Sequence, residues 1–243
     1  MPSPTAKPES AGPLPAAGSP ATAGGAAAPR LRGVITDWGG VMTSPILRTV
    51  SAWLEAEQID RASYTTLMRT WVSQAYGPDG AENLVHALER GECSDEHFEQ
   101  QLAAKLVRLD GQPVPAEGLL ARMFAASALE RPMHDLISAA RRAGLRTALL
   151  SNSWGRDGYP RELFGELFDV VVISCEVRMR KPEPRIFELA ARLLELPPPE
   201  CVFIDDVEAN VVAAQAAGLV GVHHQDAAQT ASQLSDLLGV RLG

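Results

Sequence analysis

The sequence is short of several things, and each shortage narrows the reading. Cysteine occurs three times in 243 residues, at Cys93, Cys175 and Cys201. The three are widely spaced and form no CxxC pair, and an odd number argues against a disulfide framework. Cys175 and Cys201 fall in strand-like stretches and read as small core residues. A reducing cytoplasm is the expected compartment. No apolar run approaches the roughly 18 residues that would suggest a transmembrane helix. Positive charge is in deficit, with a formal net charge of -8. That balance argues against a nucleic-acid or anionic-membrane surface and leaves phosphorylated small molecules open as partners.

Apolar residues are plentiful, at 46%, enough for a proper core. They are unevenly spread. Residues 1–29 are dominated by Pro, Ala, Gly and Ser, a composition that cannot offset the entropy of ordering, so a disordered tail is expected. The tail lacks the basic start and continuous apolar segment of a signal peptide.

The stretch from Gly33 to Ser44, GVITDWGGVMTS, opens with a short apolar run suited to a buried strand. Asp37 stands where that strand should end. Gly39 and Gly40 then allow a sharp turn, since glycine reaches φ > 0 without steric cost. From Pro45 to about Arg131 the pattern is helical. Ile46, Val50, Trp53 and Leu54 recur at helical spacing, and further helices are expected over Ala62–Gln74, Glu82–Arg90, after Ser94, and over Glu117–Ala126. Gly91 is placed to end the third of these. Trp53, Trp71 and Tyr76 read as core or rim residues of this block.

From Pro132 onward helix and strand alternate. Strands are expected at Arg146–Leu150, Val170–Ser174, Cys201–Ile204 and Val220–Val222. Helices are expected at Met133–Ala143, Arg161–Phe168, Pro184–Leu196, Ala209–Ala217 and Ala227–Leu238. Successive βαβ units imply a parallel α/β sheet with right-handed crossovers.

Four strands end in chemically useful side chains. They supply Asp37, then Ser151 and Asn152, then Lys181 in RKPEP, then Asp205 and Asp206. In a parallel sheet the carboxyl ends share one edge, where ligands bind. A carboxylate can attack phosphorus, and the developing charge needs positive groups around the phosphoryl oxygens. Carboxylate and carbonyl oxygens suit Mg²⁺. Taken singly, Ser151–Asn152 also fits a helix N-cap, and Lys181 also fits a surface charge beside a proline turn. Asp205–Asp206 is harder to explain without a cation, because adjacent carboxylates repel.

The ordered set DWGGVMT, LLSNS, RKPEPRIF and FIDDVEAN resembles the haloacid dehalogenase-like hydrolase superfamily, and the resemblance covers nearly everything from residue 31 on. It implies a Rossmann-like core of five parallel strands in the order 3-2-1-4-5, formed by residues 30–44 and 132–243. Residues 45–131 are then a helical cap inserted after the first strand. It implies Asp37 as nucleophile, and Ser151, Asn152 and Lys181 as the phosphoryl-binding groups, with Ser151 and Lys181 also catalytic. Mg²⁺ would be held by Asp37, Asp205, Asp206 and the carbonyl of Gly39. The expected activity is hydrolysis of a small phosphorylated metabolite by a monomer or homodimer. The chain departs from the family's phosphatase pattern at Gly39, where a second Asp usually serves as general acid and base. His86 of the cap is the first candidate to replace it. A 2-haloacid dehalogenase and a non-catalytic binding domain are the alternative readings. The glycine and the paired acids both argue against the dehalogenase, and the glycine also fits the binding domain.

Overall fold

The computed structural model describes residues 30–75, 83–156, 158–239 and 241. The expected N-terminal tail and Tyr76 lie outside these residues, as does Glu82, the expected start of the third helix.

Five strands form one parallel sheet: β1 Gly33–Thr36, β2 Arg146–Ser151, β3 Val170–Ile173, β4 Cys201–Asp205 and β5 Val220–His223. Their order is β3-β2-β1-β4-β5, as the family resemblance implied. β1 lies at the centre and is buried along its whole length. Successive side chains on a strand point to opposite faces, and β1 shows it. Val34 joins Leu149 and Val202 against helix α6 (Arg131–Arg142), which contributes Met133, Ile137 and Ala140. Ile35 joins Ala148, Leu150 and Phe203 on the other face. There α9 (Pro184–Leu193) supplies Phe187 and Ala190, and α10 (Glu208–Ala216) supplies Ala214. The closing helix α11 (Ala227–Leu238) returns to the α6 side through Leu234. Both faces are covered, which is why the strands read as continuous apolar runs.

Between β1 and β2 run α1 Ile46–Ala56, α2 Arg61–Ala75, α3 Leu84–Glu89, α4 Asp95–Ala103 and α5 Leu119–Phe124. They bury an apolar cluster of their own, including Trp53, Trp71, Phe98, Leu102 and Met123. The two chain passages joining them to the sheet run side by side. Ser44 N–H donates to the Ala128 carbonyl at 2.8 Å, and Glu130 N–H donates to the Met42 carbonyl at 2.9 Å.

Several boundaries differ from the sequence reading, for local reasons. The third helix begins after Asn83, whose Oδ1 accepts from Val85 N–H at 2.9 Å and caps it. The fifth is shorter than expected because Gly118, at φ 64°, turns the chain immediately before it. The buried Glu99 carboxylate accepts from Gly118 and Leu120 N–H, satisfying donors that a helix start leaves free. The expected helix over Arg161–Phe168 is a 3₁₀ turn, Arg161–Leu163, running into α7, Phe164–Leu167. Cys175 lies in a short helix, α8 (Ser174–Val177), and is half-buried rather than part of β3, whereas Cys201 opens β4 and is fully buried.

Candidate active site

The register of the sheet sets the site. Thr36 of β1 pairs with Ile204 of β4, so Asp37 and Asp205 emerge next to each other one residue later. Asp37 N–H donates to the Ile204 carbonyl at 2.8 Å, which holds the carboxylate at the sheet edge. Thr36 also pairs with Leu149 of β2, placing Ser151 one residue beyond the level of Asp37 on the neighbouring strand.

After Asp37 the chain turns tightly. Val41, Met42 and Thr43 N–H all donate to the Trp38 carbonyl, and Gly40 N–H donates to Thr43 Oγ1. Gly40 takes φ +82°, and a Cβ there would collide with the Asp206 carboxylate. This turn therefore needs its second glycine. Gly39 is outside the left-handed region, and a Cβ on it would meet only the tip of Ile46, at 3.1 Å.

Lys181, 1% exposed, reaches from the loop before α9. Its Nζ lies 2.6 Å from Asp37 Oδ1 and 2.7 Å from Asp205 Oδ2. Asp205 is fully buried and heavily engaged. Its oxygens also accept from Asn210 Nδ2, at 3.2 Å each, and from Val207 N–H at 2.8 Å. Asp37, Asp205 and Asp206 each offer an oxygen within 4.8 Å of the others. Three carboxylates against one ammonium leave two negative charges uncompensated when all are ionised.

The electrostatics follow. Burial pushes Asp37 up to about 7. Lys181 pulls the other way, and the Asp205 and Asp206 charges raise it further. Burial, then Asp205, push Asp206 up to about 6. Burial works against the Lys181 ammonium, but Asp205 and Asp37 more than offset it, so Lys181 holds its proton above the usual range. Carboxyls whose ionisation is held back by burial and by one another are what a hard divalent cation relieves. The donor set fits Mg²⁺.

Ser151 is buried at the end of β2, and its Oγ shares a 2.9 Å hydrogen bond with the Tyr159 hydroxyl. Asn152 is committed elsewhere. Its Oδ1 accepts from Lys181 N–H at 2.8 Å and its Nδ2 donates to the Lys181 carbonyl at 3.0 Å, so the amide fixes the lysine's backbone. Asn152 Nδ2 also lies 3.4 Å from Glu89 of α3, which pairs with Arg180 in a buried contact. Trp154, in the loop after β2, stacks edgewise on Phe98 and Phe124 of the helical unit. His86 is pushed down to about 4 by burial and by Arg180 and Arg90, so at neutral pH its imidazole is uncharged and offers no imidazolium as a general acid.

Four contributors went unassigned in the sequence. Asn210 stood inside a quoted motif with no role. Arg180 likewise opened the quoted RKPEP motif with no role, and Glu89 and Tyr159 carried no local signal, since their partners lie 91 and 8 residues away.

The sheet order and the four strand-end motifs define a class, and a family model confirms it. The chain belongs to the haloacid dehalogenase-like hydrolases, whose model matches residues 31–218. Among curated relatives, bifunctional epoxide hydrolase 2 of Rattus norvegicus is 29% identical over 130 residues, 51% of this chain and 24% of that protein. The sesquiterpene phosphatase astK of Aspergillus oryzae is 29% identical over 157 residues, 62% of this chain and 77% of that one. This chain spans only about a fifth to two fifths of the length of its mammalian relatives. A family enzyme of Bacteroides thetaiotaomicron, crystallised with magnesium and inorganic phosphate, superposes with a TM-score of 0.58 at 19% identity, covering 80% of this chain and 94% of that one. That likeness is one of fold. No helix among the described residues is long and apolar enough to cross a membrane.

Proposed function

We propose that the protein is a Mg²⁺-dependent phosphatase of a small phosphomonoester, working through a phosphorylated Asp37. The observation that carries this is the cluster of buried Asp37 and Asp205, which Lys181 bridges, with half-buried Asp206 beside them. A sesquiterpene phosphatase among the relatives supports the reading, as does a structural neighbour that holds magnesium and phosphate.

In this reading an Asp37 oxygen attacks phosphorus in line with the leaving oxygen. The new bond is Oδ–P, the bond broken is P–O of the ester, and the alkoxide takes a proton from water. Water then attacks the phosphoryl group, breaking Oδ–P, releasing phosphate and restoring the carboxylate. Lys181 neutralises Asp37 against its anionic substrate and faces the phosphoryl oxygens. Ser151 donates a hydrogen bond to one of them. Asn152 sets the Lys181 backbone. Mg²⁺, when bound, supplies positive charge at the transferring group. Asp206, with the fewest internal partners, would be its main ligand, beside Asp37, Asp205 and the Gly39 carbonyl. Residues 45–131 act as a cap that excludes water when it closes.

Turnover of p-nitrophenyl phosphate tests the reading. Activity with Mg²⁺ that EDTA abolishes is expected. Dehalogenation of chloroacetate unaffected by EDTA would overturn it in favour of attack at carbon.

A further inference from the structure

Ser151 is not an isolated hydroxyl. Its Oγ meets the Tyr159 hydroxyl at 2.9 Å, and a longer, weaker contact of 3.5 Å runs from it to the Asn152 carbonyl. Two hydroxyls carry two protons, and their shared bond uses one. Whichever oxygen donates, one proton remains, and the pair stands beside Asp37 at the sheet edge. The Tyr159 ring is held from two sides. Trp38, the residue after Asp37, lies 6.3 Å from it between centroids, and Phe164 lies 6.1 Å away. Trp38 and Phe164 pack on each other at 5.4 Å, closing an aromatic trio. That packing holds the phenol ring in place with its hydroxyl on Ser151. Burial also keeps it protonated through the neutral range.

We propose that Tyr159 is a positioning residue of the phosphoryl site. Its phenol donates to Ser151 Oγ and so turns the serine's own proton toward the phosphoryl oxygens. Without it, the Ser151 hydroxyl rotates freely and can turn its proton back to the Asn152 carbonyl. The inference rests on the phosphatase reading and adds a residue that none of the four strand-end motifs contains.

Tyr159→Phe removes one oxygen and keeps the ring in its trio. The variant should show a roughly tenfold lower kcat/KM for p-nitrophenyl phosphate, the worth of one hydrogen bond. Inhibition by orthovanadate, which mimics the transferring group, should weaken by the same factor. In a Ser151→Ala background Tyr159→Phe should change nothing further, because the hydroxyl it positions is gone. A purely structural role would instead lower Tm and add fully to Ser151→Ala. Wild-type turnover with an unchanged Tyr159→Phe variant, or with additive losses, overturns the inference alone. Wild type that neither hydrolyses phosphomonoesters nor binds orthovanadate overturns the phosphatase reading and this inference with it.

Discussion

Replacing Gly39 with aspartate puts the account under most strain. A phosphatase of this design lacking a proton-transfer group at that position loses help twice, at protonation of the leaving oxygen and at activation of the attacking water. Such help is worth about 10²–10⁴-fold in rate. With p-nitrophenolate the first loss matters little, since that leaving group needs no proton. The second loss remains, so dephosphorylation of Asp37 limits turnover. The structure shows room for a remedy. Gly39 has an ordinary backbone conformation, and a new Cβ would press only on Ile46 Cδ1, at 3.1 Å. That atom ends a flexible side chain at the start of α1. Crowding of this kind costs about 1–3 kcal/mol, or one to two powers of ten if taken wholly from the rate. Gly39→Asp should therefore raise the steady-state rate by up to about 10³-fold, with about 10–10² in the middle of the range, and combining it with Ile46→Val should recover more. Stopped-flow release of p-nitrophenolate is the assay. Wild type should show a burst followed by a slow phase, and Gly39→Asp should quicken the slow phase. A linear wild-type trace with an unresponsive Gly39→Asp variant would refute the reasoning and show that another group moves the proton.

Asp206→Asn should weaken Mg²⁺ binding by about tenfold or more in calorimetry, because its carboxylate has the fewest competing partners in the cluster; unchanged affinity would remove it from the metal site. Asp37 and Asp206, raised to about 7 and about 6, hold protons that the unfolded chain releases near pH 4, so their contribution to stability is full below that pH and lost as pH rises through 6–7. The metal-free protein should melt lower at pH 8 than at pH 5, and Mg²⁺ should raise Tm more at pH 8. A Mg²⁺ effect that is equal at both would contradict this. Glu89→Ala removes the partner of a buried arginine and should cost about 3–5 kcal/mol in urea unfolding, with Glu89→Met/Arg180→Met recovering most of it. A loss under 1 kcal/mol would mean that the contact between α3 and the Lys181 loop is dispensable.

The core sheet was legible because it is built from local signals. Each strand is a short apolar run closed by a polar residue, and helices such as α6 and α9 carry a clear 3.6-residue stripe, with Gly144 after α6 and Gly218 after α10 as stops. The strand-end groups were legible for the same reason, since their position follows from the strand itself. What escaped depended on chain distance. Glu89 sits in a helical block whose pattern shows only its apolar face, and nothing near it marks its partner Arg180, 91 residues on. Tyr159 reads as one aromatic in a loop until folding sets its hydroxyl on Ser151. Asn152 was visible, but its job was not. The amide points to the backbone of Lys181, 29 residues away, and no spacing rule predicts that. Helix α5 is shorter than its sequence pattern because Gly118 turns the chain and Glu99, from another helix, holds its start.

The central claim is that Asp37 carries the phosphoryl group. The most direct measurement is to quench the enzyme during turnover of p-nitrophenyl phosphate with Mg²⁺, reduce with borohydride, and map the peptides by mass spectrometry. Borohydride converts an aspartyl phosphate to homoserine. The account predicts that conversion at position 37 in the wild type and none in Asp37→Asn, which should also lose turnover while keeping its fold. Turnover with unmodified Asp37, or persisting in Asp37→Asn, would contradict it.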